Sequence, residues 1–234
     1  QSSLLPWIVC FAATMFFFYE FIQGNMFASI ADTIMQDFHI KADKMTYLSS
    51  IYYLSNVLFL FVAGILIDRF STKKIILVAM TFCVLSTFLL AHAHSFYLAL
   101  VCRFIMGIGS AFCFLAPVRL ASRWFPARQM AMVTGIIVTI AMSGGMISQY
   151  PLTKLVNQVG WRDALMVIGW CGVAILVIMQ IGIVDNKYSI PSLPTKNKRL
   201  FSIAKETYLN SQTLRAALYA SLMNMAIAVF GAMM

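Results

Sequence analysis

Charge is what this sequence has least of. Charged residues make up 11% of its 234 positions and hydrophobic residues 61%. A soluble domain carries roughly a quarter charged residues, so the deficit points to surface that faces lipid. Acids are scarcest, 8 against 17 bases, for a net charge of +9. The bases form neither a face nor a tail, which excludes a nucleic-acid partner; they sit in short loops between apolar stretches. The five cysteines (Cys10, Cys83, Cys102, Cys113, Cys171) include no CxxC pair and all fall in apolar runs. They imply no metal site and no disulfide framework, and read as buried, reduced thiols. HExxH, GxSxG, a Walker loop and a GxGxxG followed by an acid are all missing, which argues against an enzyme, a cofactor and a nucleotide-driven pump. His92-Ala-His94 has no carboxylate or cysteine nearby in sequence and reads as an interfacial loop. No basic n-region with a small-residue cleavage site marks a removable signal peptide.

What is present is a series of long apolar runs. A membrane-crossing helix needs roughly 20 apolar residues at about 1.5 Å rise each. Seven candidates follow, at 5–30, 46–67, 75–91, 97–118, 130–151, 163–184 and 213–234. Connections are short except for 185–212, where prolines and bases make a linker. The expected organisation is all-α and integral to the membrane: a six-helix bundle over 1–184, a basic linker over 185–212, and a seventh helix over 213–234 that begins a second bundle. No charge follows that last span before Met234, so the chain reads as the first half of a longer protein.

The bases orient these spans. Arg69, Lys73, Lys74, Arg119, Arg123, Arg128, Lys187, Lys196, Lys198, Arg199, Lys205 and Arg215 fall on one side, twelve in all, against Lys41, Lys44, Lys154 and Arg162 on the other. The positive-inside rule makes the first side, and the N-terminus, cytoplasmic in a multi-pass protein of an inner or plasma membrane.

Two ionisable residues stand inside spans. Glu20 lies near the middle of span one and Arg103 in the outer half of span four. A carboxylate at such depth costs a few kcal/mol and marks a pathway or an interior contact. The two differ in depth by about 6 Å at ~1.5 Å per residue. They read as a proton-coupling pair, an ion pair that exchanges partners as protons bind; a fixed structural pair and two unrelated snorkelling side chains are the plainer alternatives. Tyr19, Gln23 and Asn25 on span one, Tyr52, Tyr53 and Asn56 on span two, and Gln149 and Tyr150 on span five suit a cavity lining. Among these, Tyr19, Gln23, Tyr52, Asn56 and Gln149 are the candidate solute contacts. Gln23 is i+4 from Tyr19 and Asn56 is i+4 from Tyr52, so each pair shares a helix face. Small residues at helical spacing, Gly107 and Ala111 on span four and Gly135, Thr139 and Ser143 on span five, allow close helix approach. Pro117 and Pro151 are positions where a helix kinks or ends.

The most polar short hinge, Gly64-Ile-Leu-Ile-Asp68-Arg69-Phe70-Ser71-Thr72-Lys73-Lys74, resembles the signature loop between spans two and three of the major facilitator superfamily. Arg103-Phe-Ile-Met-Gly107-Ile-Gly109-Ser-Ala111 is similar to its span-four motif, and Arg119-Leu-Ala-Ser-Arg123-Trp-Phe-Pro126 and Gly160-Trp-Arg162 to further loops. Ser71 departs from the family's glycine, and Thr72 from its base.

The resemblance implies a bundle of 3+3 inverted repeats that rocks against a second half. It implies a signature-loop gate of Gly64, Asp68, Arg69 and Lys73, with Arg119 and Arg123 nearby. The counterpart of Gly64 admits a helix of the second half, that of Asp68 holds an interdomain contact near a helix N-terminus, and that of Arg103 takes part in proton coupling. The implied function is secondary transport of a small polar or anionic solute (an amino acid, peptide or organic acid) by proton symport. The sugar-porter ending of span six and the drug-antiporter Gly-Pro of span five are absent. Proton-driven multidrug efflux, and a non-transporting receptor with the same fold, are the alternatives.

Overall fold

The computed structural model describes residues 4–184 and, beyond them, positions 211, 212, 215, 218, 219 and 222. The chain divides into two compact units, Gln1–Ser189 and Ile190–Met234. The linker expected at 185–212 and the span expected at 213–234 therefore lie almost wholly outside the described residues. Ser211 and Gln212, assigned to the linker from sequence, are helical.

The first unit is helical throughout, with no strand among its described residues. Its helices are α1 (Leu5–Asp37), α2 (Ala42–Arg69), α3 (Thr72–Ala91), α4 (Phe96–Ser110), α5 (Leu115–Trp124), α6 (Met130–Val159) and α7 (Trp161–Gly182), with a 3₁₀ turn at Ala127–Gln129. Among the described residues, six segments are long and apolar enough to cross a membrane: Leu5–Phe27, Ala42–Ile67, Thr72–Ala91, Phe96–Trp124, Ala127–Val159 and Trp161–Gly182. They correspond to the first six expected spans.

The helices outrun the apolar stretches at several ends. α1 continues from Phe27 to Asp37 because no glycine or proline interrupts it and because Ile30 and Ile34, four residues apart, are both buried. A polar outer face does not stop a helix whose inner face still has a partner. Ser71 begins α3 as its N-cap, its Oγ accepting from the Lys74 N–H, so a serine replaces the family's glycine with a cap. Gly160 alone separates α6 from α7 at φ +86°, a left-handed value that glycine adopts freely.

The fourth span departs from expectation. It is broken, as α4 and α5 with a turn at 111–114 between them. Pro117 is the cause, although it lies beyond the break. Its ring crowds the carbonyl four residues back, that of Cys113, and it offers no N–H to that carbonyl. Phe112 and Cys113 tighten instead onto the carbonyls of Gly109 and Ser110, each at 3.1 Å. Pro117 then sits in the first turn of α5, where a missing N–H costs little. Pro151, by contrast, neither ends nor splits α6, which runs through it.

α1 packs chiefly on α6 and α7, α2 on α4, and α3 on α4 and α7. α1 and α2 meet along a thin seam. At the base-poor end, Arg162 ties three elements together. It pairs with Asp37 at the end of α1, donates to the Ala93 carbonyl at 2.8 Å, and stacks over Trp161 at 4.3 Å. Trp161 in turn meets Phe38 edge-on. About a third of each charged side chain is exposed, so screening limits the pair. Arg162→Ala should cost about 1 kcal/mol, read as a modest fall in the thermal midpoint. Of the five cysteines, all free, Cys171 is exposed on α7 and Cys113 only half-buried, against the expectation that all are buried; an apolar run exposes whatever it carries on its uncovered face.

Candidate transport site

The polar residues of the spans converge where α1, α2, α3 and α4 meet. Arg103 is fully buried and Glu20 is 2% exposed.

Arg103, on α4, is surrounded without a carboxylate. Its Nε donates to the Leu48 carbonyl of α2 at 3.3 Å and its Nη1 to the Gln23 carbonyl of α1 at 3.1 Å. A helical carbonyl already bound to its own i+4 N–H keeps a second lone pair for such a donor. The guanidinium lies over the rings of Phe27 at 3.9 Å and Tyr52 at 4.4 Å, with Met106 Sδ at 4.0 Å from Nη1. Two carbonyls and two aromatic faces thus replace water around the cation. Its Nη2 has no hydrogen-bond partner among the described residues.

Glu20, on α1, accepts from the Tyr52 hydroxyl at Oε2, at 3.1 Å. Its Oε1 has no partner among the described residues. The ion pair weighed from the depths of Glu20 and Arg103 is therefore not formed in this structure. Tyr52, entering from α2, occupies the space between them: its hydroxyl takes the carboxylate and its ring face takes the guanidinium.

A second knot joins α1 to α3. Thr87 Oγ1 donates to the Cys83 carbonyl at 2.8 Å, so its oxygen is left to accept from Gln23 Nε2 at 2.7 Å and from the Tyr19 hydroxyl at 3.2 Å. Gln23 Oε1 is unpartnered among the described residues. A third joins α2 to α4. Asn56 Nδ2 donates to Ser110 Oγ at 2.5 Å, Ser110 Oγ to the Gly107 carbonyl at 2.8 Å, and Ser55 Oγ to the Tyr52 carbonyl at 3.0 Å. The helices touch so closely that a Cβ on Gly107 would stand 1.8 Å from Ser55 Oγ and 2.3 Å from the Tyr52 carbonyl oxygen.

Of the expected solute contacts, Tyr19, Gln23, Tyr52 and Asn56 thus lie in these knots. Gln149 does not: it is exposed on α6, its carbonyl accepting from Thr153 Oγ1. Tyr53 and Tyr150 are also exposed, and the Asn25 amide is turned back onto the Phe21 carbonyl at 2.8 Å. The signature-loop residues gather elsewhere. Gly64, Asp68 and Arg69 close α2, and a Cβ at Gly64 would meet nothing within 4 Å. Lys73 Nζ donates to the Gln180 carbonyl at 2.9 Å in the last turn of α7, where a cation complements the helix dipole. Arg119 is exposed and Arg123 half-buried, both on α5.

Sequence reasoning missed Thr87, Ser55 and Ser110. Hydroxyls in apolar helices usually bond back to their own helix, as all three do here, while Thr87 and Ser110 also accept from a neighbouring helix. The carbonyls of Gln23 and Leu48 left no signal in any side chain. Chemically, the cluster offers a buried carboxylate and a buried guanidinium, held apart, each with one unpaired atom. No three His, Cys, Asp or Glu side chains among the described residues gather closely enough to hold a metal ion.

Comparison with known proteins bears on this arrangement. The sequence profile described as Major Facilitator Superfamily matches residues 9–234. Over 155 residues the chain is 24% identical to the "Probable sulfoacetate transporter SauU" of Cupriavidus necator, covering 66% of this chain and 36% of that protein. It is 24% identical over 165 residues to the "Hexuronate transporter" of Bacillus subtilis, covering 70% and 37%. The chain thus spans little more than a third of the length of these relatives. A bacterial homolog of the human lysosomal transporter Spinster, solved inward-facing and unoccupied, superposes with a TM-score of 0.69 at 18% identity, over 88% of this chain and 50% of that one. That likeness speaks for the fold alone.

Proposed function

This chain belongs to the Major Facilitator Superfamily of membrane transporters, and from that premise we propose that it forms the first half of a secondary transporter that moves a small organic anion together with a proton. Arg103 carries the reading. It is fully buried, it has no carboxylate partner among the described residues, and its Nη2 is unpaired. A cation kept at such cost inside a span marks a substrate or ion pathway, and an anionic solute would complete its coordination. Relatives named for sulfoacetate and hexuronate, compounds that are anions at neutral pH, support the same class of solute.

Glu20 is the proton site in this reading, with Oε1 open to receive the proton. Protonation removes a negative charge beside the guanidinium and leaves Arg103 the dominant charge facing an incoming carboxylate. Solute binds near the midplane between the two halves, which rock about it. The twelve-to-four distribution of bases puts the Arg119 end in the cytoplasm, with the Gly64–Lys73 loop and α5 serving as the gate on that side. Residues 213–234 begin the partner half.

Proteoliposomes carrying the full-length transporter test this with radiolabelled D-glucuronate and sulfoacetate. An imposed gradient, acid outside, should drive accumulation of one of them. Glu20→Gln should bring gradient-driven accumulation down to the level of empty liposomes while exchange of internal for external solute continues. Unchanged accumulation by Glu20→Gln would remove Glu20 from coupling. Expulsion of a cationic drug, with neither anion moved, would favour the efflux alternative.

A further inference from the structure

Tyr52 was read from sequence as a solute contact, but its surroundings describe a different part. It is buried, 5% exposed. Every portion of it is already engaged. The hydroxyl is on Glu20, and the ring lies under Arg103 at 4.4 Å and edge-on to Tyr53 at 5.2 Å. Its carbonyl takes the Ser55 hydroxyl and abuts Gly107 of α4. Across the thin α1–α2 seam, the ring lies against α1 at Gly24, where a Cβ would rest 3.7 Å from the Tyr52 hydroxyl.

We propose that Tyr52 is a positioning residue for proton coupling: it holds the Glu20 carboxylate away from Arg103 and ties the charge state of α1 to the α2–α4 pair. This rests on the reading of Glu20 as the proton site. The groups facing Glu20 are Tyr19 on its own helix, Tyr52 on α2, Cys83 on α3, Arg103 on α4 and Cys113 in the turn before α5. Tyr52 donates to it at 3.1 Å, and the Cys83 thiol is a second donor close by.

A phenol has one proton to donate, and a carboxylate is its strongest nearby acceptor. Hydrogen bonds to an ionised group are roughly twice as strong as neutral ones. When Oε1 takes a proton, the bond from Tyr52 to Oε2 becomes a neutral one and slackens. The α1–α2 seam then loses much of its polar tie, while Tyr52 stays clamped to α4 through its backbone. Separation also has a purpose. A direct Glu20–Arg103 pair would neutralise both groups at once, leaving neither for proton or anion.

Infrared difference spectra of the purified full-length transporter, taken between alkaline and acid pH without solute, test this. The protonated carboxyl of Glu20 should appear as a carbonyl stretch at acid pH and vanish in Glu20→Gln. In Tyr52→Phe, which keeps the ring beneath Arg103, that stretch should move to higher frequency, as a carboxyl does on losing a donor to its carbonyl oxygen. Glu20→Asp, which withdraws the carboxyl by one methylene without altering α2, should move its own stretch the same way and serves if Tyr52→Phe folds poorly. A stretch that is lost in Glu20→Gln but unmoved in Tyr52→Phe and Glu20→Asp would overturn the role of Tyr52 and leave Glu20 as proton site. Spectra unchanged in Glu20→Gln would overturn the proton site itself, and the positioning role with it.

Discussion

Arg103→Met should abolish solute transport while leaving the protein at least as stable as its parent. The pairing of those two outcomes follows from how Arg103 is held. Its partners are backbone carbonyls of Gln23 and Leu48, which keep their own helical N–H bonds when the guanidinium goes. Methionine follows much of the same path between Phe27 and Tyr52 and suits an aromatic pocket. Replacing buried ionic groups by well-packed apolar ones commonly raises stability by about 1–4 kcal/mol. Transport, however, would lose the one buried cation of the cluster. Arg103→Lys separates charge from geometry. An ammonium keeps the charge but cannot fork between two carbonyls while stacking flat on two rings. It should be nearly as inactive as methionine and less stable than either. Thermal unfolding of purified protein, beside uptake in liposomes, reads all three. If Arg103→Met unfolds the protein, the residue is structural and the anion reading loses its support.

Gly107→Ala should be the most damaging single methyl in the described bundle. Its Cβ would fall 1.8 Å from Ser55 Oγ and 2.3 Å from the Tyr52 carbonyl oxygen. The serine can turn away, but the carbonyl belongs to the backbone of α2 and cannot. α2 and α4 must then part, with overpacking costs of about 1–3 kcal/mol. Tyr52 would be carried off its position against Glu20 and Arg103 as they do. The double change Gly107→Ala, Ser55→Ala should recover only part of the loss, since the carbonyl clash remains. Gly145→Ala is the control: its Cβ would meet only the Asn25 and Phe21 side chains, at 3.6 Å, and an alanine within a helix gains up to about 1 kcal/mol over glycine. Yield and thermal midpoint should therefore fall for Gly107→Ala and hold for Gly145→Ala. Equal losses in both would mean that the α2–α4 approach is not what Gly107 serves.

Much of this architecture was legible because hydropathy and helical periodicity act over long windows. Six apolar runs became six spans, and Glu20 and Arg103 stood out because a lone charge in such a run is costly to bury. Helix ends were less legible, since apolarity marks the membrane while the backbone needs only a partner face; Ile30 and Ile34 carry α1 beyond its apolar stretch for that reason. The break in span four was half-legible. Pro117 announced a disturbance, yet its effect falls on the carbonyl four residues earlier. The Glu20–Arg103 pairing failed for a reason beyond any one-dimensional reading. Depth along a helix follows from residue count, but whether two side chains meet depends on how each helix is rotated and what a third inserts between them. Tyr52 was that third residue. Gln149 is exposed on α6, apart from the polar knots, a placement that depth along the helix does not fix.

The surroundings of Arg103 also have an order in time. Gln23, Phe27, Leu48 and Tyr52 all precede it in the chain. As the protein is synthesised from its N-terminus, α1 and α2 emerge before α4 does. A charged residue near the centre of an inserting helix costs about 2.5–3.5 kcal/mol when it enters lipid alone. Here the carbonyls and rings that will hold it have already left the ribosome when it arrives, so the arginine can enter the membrane against a receiving surface instead of against hydrocarbon. Reversing the order of the helices would preserve every contact in the finished bundle and remove that shelter during its assembly.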